Sequence, residues 1–331
     1  WGARIDITTN TSGGASFPSV AIDASNNVYV AYYGTGPNEY SSSINNIALR
    51  TSTDGGLTWG ARRDITVNTS GGVAAPSLTI GANSNLYVTY YGSGSDEFST
   101  TTTNIALKSS ANSGLTWSAR VDVTTNTSAN STFPVITKDA SDNIFIFYKS
   151  VEYNSANNIS MRGSNLGNYG NRKDVTNFLT YSIAIPKVAI NTSTGAMYMT
   201  YYSNEYNAAY TNIALRTSTD NGLTWGARRD VTTNASASQL IPAIAADPSG
   251  NIYVTYTSRE VTSSFTNIAL RTSTDGGLTW GDRRDLTAST AVSQTSPAIA
   301  TAGGNIFITY TSGEFNSSFT NIALRTSTDG G

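Results

Sequence analysis

The sequence predicts an all-β protein, a six-bladed β-propeller with four-stranded antiparallel blades. Three observations favour this fold. A unit of 52 to 58 residues recurs along the chain, each unit contains four segments typical of β-strands, and one eight-residue turn motif returns at the same place in several units. Strand-rich repeats of about this length are typical of propeller blades, which bury their faces against neighbouring blades.

One aromatic residue marks each unit, usually the tryptophan of a Thr-Trp pair. The intervals are 58, 58, 52, 56 and 55 residues, and the six markers are Trp1, Trp59, Trp117, Tyr169, Trp225 and Trp280. We therefore predict a single propeller domain over residues 1–331. Its repeats are expected at approximately 1–58, 59–116, 117–168, 169–224, 225–279 and 280–331.

Four strands are expected in each unit. The inner strand is predicted to begin at a proline, because the first position of a strand tolerates a missing N–H. In the first unit the second strand covers 28–33, the third strand covers 46–50, and the outer strand covers 59–64, with β-branched and aromatic residues favouring extended structure. The six prolines are Pro18, Pro76, Pro134, Pro186, Pro242 and Pro297.

The strand count predicts how the ring closes. The sequence starts with an outer strand at residues 1–7 and finishes after a third strand at residues 319–326. We expect these two segments to pair, so that the last blade is built from three strands of one terminus and one strand of the other. Such pairing would hide two open sheet edges.

The turn between the third and outer strands has the pattern Ser-x-Asp-x-Gly-x-Thr-Trp, as in Ser52 to Trp59. It resembles the Asp box, or BNR repeat, of sialidases. The resemblance implies that the boxes lie on the face opposite the active site, and the Asp and Ser side chains suit local hydrogen bonds within a turn. A structural role is therefore predicted for Asp54, Trp59, Asn112, Trp117, Asp220, Trp225, Asp275, Trp280, Asp329 and Trp1.

The same resemblance supplies a test for enzyme activity. Sialidases carry a catalytic arginine in a Phe-Arg-Ile-Pro motif, and no arginine stands two residues before a proline here. The residues at those positions are Ser16, Ala74, Thr132, Ala184, Leu240 and Thr295. No catalytic residue is therefore predicted, although an unusual glycosidase that uses two carboxylates remains an alternative.

Composition narrows the classes of function. The chain has no cysteine and no histidine, so neither metal site nor cofactor is expected, and its net charge of -2 with 13% charged residues does not favour nucleic acid. Membrane insertion is not expected, since no apolar run approaches about 20 residues. An extracellular or cell-surface location is predicted from Asn-x-Ser/Thr sequons at Asn10, Asn68, Asn126, Asn130, Asn158, Asn191, Asn234 and Asn316.

Candidate ligand-binding residues lie in the loop after each second strand. Every unit has a glutamate there, preceded by a tyrosine, and carboxylates with aromatic rings suit carbohydrate. These glutamates are Glu39, Glu97, Glu152, Glu205, Glu260 and Glu314. Lys149 and Lys187 join them as a candidate anion site. The alternatives are that each glutamate ties its own loop to the backbone and that the lysines reflect drift in degenerate repeats.

The sequence thus predicts a non-catalytic extracellular or cell-surface propeller that binds carbohydrate through these loops. A structural, self-assembling surface protein is the first alternative, in which residues 1–7 would be donated to a neighbouring copy. A degenerate or unusual glycosidase is the second.

Overall fold

The computed structural model describes residues 5–8, 13–152, 156–164, 169–178, 185–314 and 321–330. This part of the chain holds 23 β-strands in six antiparallel sheets, with one short 3-10 turn at Ala82–Ser84. The predicted all-β fold of a six-bladed β-propeller is confirmed. No helix among these residues has the length and apolar character needed to cross a membrane.

Strands follow one another in chain order within every sheet. The first three sheets comprise β1 Gly14–Ile22, β2 Val28–Thr35, β3 Asn46–Ser52 and β4 Arg63–Asp64; β5 Val73–Ile80, β6 Leu86–Gly92, β7 Asn104–Ser110 and β8 Val121–Asp122; and β9 Ser131–Lys138, β10 Ile144–Ser150, β11 Asn158–Gly163 and β12 Lys173–Asp174. The other three comprise β13 Lys187–Ile190, β14 Met197–Ser203, β15 Asn212–Ser218 and β16 Arg229–Asp230; β17 Gln239–Ala246, β18 Ile252–Ser258, β19 Asn267–Ser273 and β20 Arg284–Asp285; and β21 Gln294–Ala302, β22 Asn305–Ser312 and β23 Asn321–Ser327.

The chain packs as two compact units. The first comprises Trp1–Ser155 with Ser160–Arg172, and the second comprises Ala156–Ile159 with Lys173–Gly331. Within the first unit β1 lies beside β5 and β5 beside β9. Within the second unit β13 lies beside β17 and β17 beside β21. The first strand of each sheet is therefore the one that meets its counterpart in the next sheet.

The core forms where consecutive sheets face each other. In the first unit, Tyr29 and Leu49 pack with Leu86 of the next sheet, and in the second unit Leu215 packs with Ile252 in the same way. All five side chains are almost completely buried. Burying each large apolar side chain is worth roughly 1.5–3 kcal/mol, so the continuous apolar runs of the second and third strands stabilise sheet stacking.

The prolines do not begin the inner strands, and that prediction is wrong in detail. In five inner strands the strand begins three or four residues earlier and the proline follows a β-bulge, whereas β13 begins at Lys187, directly after Pro186. The residue before the proline has a positive φ, and the pairing register shifts there. A bulge leaves the proline without a ladder hydrogen bond to break. The five residues are Phe17, Ala75, Phe133, Ile241 and Ser296.

A buried asparagine clamps the start of each third strand to the chain that follows the outer strand. Asn46 Oδ1 accepts hydrogen bonds from Thr66 Oγ1 at 2.9 Å and from the Asn68 backbone N–H at 2.6 Å, and its amide donates to the Asn68 carbonyl. The same clamp recurs at Asn104, Asn158, Asn212 and Asn267. It explains why asparagine recurs there, independently of glycosylation.

The Asp boxes are closed by their own side chains. Asp54 Oδ1 accepts from Ser52 Oγ at 2.7 Å and from the Thr58 N–H at 2.9 Å, and Asp54 Oδ2 accepts from Thr58 Oγ1 at 2.5 Å. The hydrogen bonds from Thr58 lower the pKa of Asp54 to about 2. Asn112 makes equivalent contacts with Ser110 and Thr116, so this box needs no charge to close.

The outer strands are shorter than expected, and the sixth sheet differs from the rest. Only the last two residues of each predicted outer strand pair with the third strand. In the described residues the sixth sheet ends at β23, where Ile322 is 73% exposed, whereas its counterpart Ile47 is 0% exposed. Trp1 and residues 2–4 lie outside the described residues, so closure by residues 1–7 stays a prediction.

Candidate functional site

The predicted glutamates lie in the loops between the second and third strands, where Glu39 and Glu97 are buried and Glu314 is exposed. The Glu39 side chain is only 3% exposed, and its carboxylate lies 3.5 Å from Arg62 Nη1. The Tyr32 hydroxyl donates to Glu39 Oε1 at 3.3 Å, while Arg62 Nε lies 3.0 Å from Asp64 Oδ1. We call the glutamate, its tyrosine and its outer-strand arginine a loop anchor, since they fix the loop to β4.

The ion pair of the loop anchor recurs in the next four sheets. The N–O distances are 3.5 Å for Arg120 and Glu97, 3.0 Å for Arg172 and Glu152, 3.3 Å for Arg228 and Glu205, and 2.6 Å for Arg283 and Glu260. In the sixth sheet, Glu314 accepts a hydrogen bond from Gln294 Nε2 at 3.1 Å. Each carboxylate is therefore engaged by the protein.

The electrostatics of the anchors follow from burial and pairing. Burial raises the pKa of Glu97, because it outweighs the opposing effects of Asn68, Arg120 and Lys108. Burial also favours a raised pKa for Glu152, but hydrogen bonds from Asn126, Arg172 and Ser131 outweigh it, so the pKa of Glu152 is lowered. Burial raises the pKa of Tyr32 to about 12. These groups form a structural network with well-defined charges.

Sequence analysis missed the contact between the glutamate and the arginine. The signal was present as a constant spacing: the glutamate precedes the arginine by 23 residues in four anchors and by 20 in the third, which lies in the degenerate repeat. Such a spacing spans a whole third strand and Asp-box turn. Only the antiparallel return of β4 alongside β3 brings the two residues together.

The two candidate lysines occupy separate units. Lys149 is half-buried on β10 opposite Thr132 in the first unit. Lys187 begins β13 opposite Thr200 in the second unit. Desolvation by surrounding protein lowers the pKa of Lys187, even though part of the residue stays in contact with solvent.

A pocket lies among three segments of the second unit. This pocket has a volume of about 430 Å³ and is lined by the residues before β15, the residues between β16 and β17, and the loop between β18 and β19. We call it the Arg259 pocket. Its lining consists of Tyr210, Thr211, Ser236, Ala237, Ser238, Leu240, Arg259 and Ser263.

Local hydrogen bonds hold the walls of the Arg259 pocket. Asn234 Oδ1 accepts from the backbone N–H groups of Ser236 at 2.7 Å and Ala237 at 2.6 Å. Thr211 Oγ1 donates to the Gln239 carbonyl at 3.0 Å, which joins two of the three segments. The walls are therefore preorganised by contacts that do not use the side chain of Arg259.

Arg259 is the chemically distinctive group of this pocket. Its guanidinium is exposed and makes no hydrogen bond or ion pair with the residues the structure describes. A guanidinium presents a planar fork of donors that suits a carboxylate or sulfate. Tyr210 adds an aromatic ring, and Ser236 and Ser263 add hydroxyl groups, so the pocket can bind an anionic ligand that also carries hydroxyls.

Carboxylates are absent from the described lining of the pocket, and the neighbouring Glu260 is paired with Arg283. Leu240, two residues before Pro242, supplies an apolar wall where the sialidase resemblance would require arginine. Among the described residues, no group of three or more acidic side chains could hold a metal ion.

Sequence analysis also passed over Arg259, because it singled out the adjacent Glu260. The signal was a deviation within the repeat. The residue before the anchor glutamate is cationic only in the fifth unit, the six residues being Asn38, Asp96, Val151, Asn204, Arg259 and Gly313.

A match to a family model shows which protein family the chain belongs to. The family model described as the BNR repeat-like domain matches residues 84–331, which is most of the chain. The protein belongs to the BNR repeat-like domain family. No curated protein sequence matches this BNR protein.

Solved structures resemble the BNR protein in fold at low sequence identity. An α-L-arabinanase from Penicillium chrysogenum, complexed with arabinobiose, is 15% identical with a TM-score of 0.62, and the match covers 94% of this chain and 93% of that one. A leech intramolecular trans-sialidase complexed with 2,7-anhydro-Neu5Ac is 12% identical with a TM-score of 0.64, covering 99% and 70%. A polysaccharide lyase, an ulvan lyase bound to -[GlcA(1-4)Rha3S]-, is 11% identical with a TM-score of 0.65, covering 94% and 79%.

Proposed function

We propose that the BNR protein is a non-catalytic, extracellular or cell-surface module that binds an acidic glycan in the Arg259 pocket. The observation that carries this proposal is the unpartnered guanidinium of Arg259 beside a tyrosine and several hydroxyl groups. An acidic sugar presents a carboxylate or sulfate to the guanidinium and hydroxyls to the serines, while its apolar ring face packs on Tyr210.

The fold similarity supports a ligand of this class. The three solved neighbours act on or are bound to saccharides, and the ligands of the trans-sialidase and the ulvan lyase include acidic sugars. Their identity to this chain is low, so the choice of ligand rests on the pocket. The volume of about 430 Å³ suits one or two sugar rings and is within the range of small-molecule sites.

The five anchor glutamates, Glu39, Glu97, Glu152, Glu205 and Glu260, act indirectly in this proposal. Each fixes a loop, and the loops of the fourth and fifth sheets carry Tyr210 and Arg259. The predicted binding role of the glutamates thereby becomes a positioning role. Lys149 and Lys187 are outside the Arg259 pocket and are assigned no contact with the glycan.

A glycan array tests the proposal. Wild-type protein is expected to bind sialylated, uronic-acid or sulfated glycans, and Arg259→Ala is expected to lose that binding. Asp282→Ala, a change of an exposed charge on the surface of the same unit, serves as the matched control and should retain binding. Binding of neutral glycans alone, or equal binding by Arg259→Ala, would contradict the proposal.

Self-assembly is a second candidate, favoured by the groove beside β23, which is lined by Leu270, Leu286 and Ile308. In this arrangement residues 1–7 of one copy would be donated to the last sheet of a neighbouring copy. Light scattering over a range of concentrations tests it: a concentration-dependent rise in mass supports strand donation, and a constant monomer mass refutes it.

A further inference from the structure

A second cavity, in the first unit, lies between the second sheet and the residues that follow β4. Its volume is about 160 Å³, and its polar lining includes Asn68, Tyr90, Asp96, Glu97, Lys108 and Arg120. Since a water molecule occupies about 30 Å³ in the liquid, this cavity has room for several waters or for one small organic ring. We call it the Lys108 cavity.

The cavity coincides with a substitution in the repeat. Lys108 occupies the position on the third strand that is arginine in the other units. In three of those units the guanidinium donates to a backbone carbonyl beyond the Asp box, as Arg50 does to the Gly60 carbonyl at 2.8 Å. Lysine has no planar fork, and the equivalent of Gly60 is Ser118, whose hydroxyl instead donates to the Ala119 carbonyl at 2.8 Å.

The ammonium of Lys108 interacts electrostatically with Glu97 but has no hydrogen-bond acceptor among the described residues. Lys108 Nζ makes no hydrogen bond or ion pair with any residue that the structure describes, although the side chain is half-buried. Burial lowers the pKa of Lys108. A partly buried donor without an acceptor is unfavourable, so a molecule that accepts hydrogen bonds is expected beside it.

Acceptors on the cavity wall also have unused capacity. Glu97 Oε1 accepts from Asn68 Nδ2 at 2.9 Å, and Arg120 lies 3.5 Å from Glu97 Oε2. Asp96 Oδ2 accepts from the Thr69 N–H at 2.6 Å, while Asp96 Oδ1 accepts from none of the described residues. The cavity thus offers donors and acceptors at separate points on its lining.

The charges around the cavity disfavour an anion. Lys108 and Arg120 are positive, whereas Asp96, Glu97 and the Arg120 partner Asp122 are negative, which leaves an excess of one negative charge. A simple anion would be repelled by this excess negative charge. A neutral molecule with adjacent hydroxyls can accept from the lysine with one oxygen and donate to a carboxylate with the next.

We propose that the Lys108 cavity binds one neutral pyranose through a pair of adjacent hydroxyl groups, held between Lys108 and the carboxylates of Asp96 and Glu97. The site is independent of the Arg259 pocket, because it lies in another sheet and binds an uncharged sugar. A glycan that combines neutral and acidic residues could engage the two sites separately.

Titration of the full chain, followed by NMR, tests this proposal. The probes are methyl α-D-mannopyranoside, methyl β-D-galactopyranoside and methyl α-D-glucopyranoside, with sodium acetate as the anionic comparison. We expect saturable shifts of the Lys108 side-chain signals by at least one pyranoside, with a dissociation constant on the order of 1 mM. Acetate is expected to give none.

Two variants sharpen the test. Lys108→Arg restores the residue of the sister units and is expected to fold, to fill the cavity and to weaken pyranoside binding at least about tenfold, which is about 1.4 kcal/mol. Arg259→Ala should leave pyranoside binding unchanged, so failure here is distinguishable from failure of the proposed function. Absence of saturable shifts, equal binding by Lys108→Arg, or tighter binding of acetate would overturn the proposal.

Discussion

Arg283 Nη1 lies 2.6 Å from Glu260 Oε2, which ties the loop carrying Arg259 to the outer edge of the fifth sheet. Glu260 also has its backbone N–H bound to Ser258 Oγ at 3.1 Å. Glu260 is therefore held by both its side chain and its backbone. Its neighbour Arg259 remains available to a ligand.

Glu260→Ala is expected to weaken glycan binding although residue 260 does not line the pocket. Loss of the anchor frees the loop, and ordering it again on binding costs conformational entropy. Glu97→Ala is the matched control: it removes the same anchor from the first unit and should leave binding at the Arg259 pocket intact. Calorimetric titration with an array-selected acidic glycan compares the two, and equal weakening would contradict a local positioning role.

Glu97→Ala should destabilise the fold more than Glu260→Ala does, although only Glu260→Ala should weaken glycan binding. The Glu97 side chain is 3% exposed and the Glu260 side chain is 23% exposed, and removal of Glu97 also leaves the buried amide of Asn68 without its acceptor. We expect a loss of about 1–3 kcal/mol in the free energy of unfolding for Glu97→Ala, and a smaller loss for Glu260→Ala. Urea denaturation measures both, and a larger loss for Glu260→Ala would refute the ranking.

Asp54→Asn should reduce the acid sensitivity of the fold. Since the pKa of Asp54 is about 2 in the folded state and 3.8 ordinarily, its contribution is present above the ordinary value and is lost as the pH falls through about 2. Asparagine carries no charge to lose, and Asn112 already closes one turn. The free energy of unfolding, measured with urea between about pH 4 and pH 2, should fall less steeply with decreasing pH for Asp54→Asn than for the wild type. Parallel slopes would show that the Asp54 carboxylate contributes no pH-dependent stability.

The positive φ at the bulge before each proline predicts that glycine substitutions at neighbouring positions differ in their effect on stability. Ala75 has a φ of 48°, a region that costs a residue with a side chain roughly 1–2 kcal/mol, whereas the adjacent Ala74 has no positive φ. Ala75→Gly relieves this strain, but Ala74→Gly only adds unfolded-state freedom. The loss of unfolding free energy should therefore be about 1 kcal/mol smaller for Ala75→Gly, and equal losses would contradict the strain.

Buried sequons should stay unmodified. Asn158 is 0% exposed, its Oδ1 accepts from the Phe178 N–H at 2.7 Å, and its amide donates to the Phe178 carbonyl. Asn130 is exposed. After secretion from a eukaryotic host, mass spectrometry should find glycan on Asn130 and none on Asn158, whereas occupancy at Asn158 would mean that modification precedes folding of β11.

The repeat made the fold predictable, and departures from the repeat made the sites hard to find. Repetition of one pattern along six units distinguishes it from chance similarity. The strand order and the Asp boxes could therefore be inferred from residues such as Trp59 and Asp54. The bulge at Ala75 could not, because a proline is equally compatible with a strand start. Arg259 and Lys108 each occur once at their repeat positions, and no periodicity marks a single residue.

The anchor glutamates show the opposite difficulty. Glu39 and its counterparts recur so regularly that they suggested a ring of ligand contacts, yet regularity here reflects a structural need common to the sheets. The arginine 23 residues later was visible in the sequence as well. Linking the two required the pairing of β4 with β3, which is a tertiary property.

Crystals soaked with a sialylated or uronic-acid-terminated oligosaccharide selected on the array will show whether the Arg259 pocket is the glycan site. We expect electron density for the sugar in the Arg259 pocket, with its carboxylate against the guanidinium and a ring face on Tyr210. Density for the sugar elsewhere on the protein, with the Arg259 pocket holding only solvent, would contradict it.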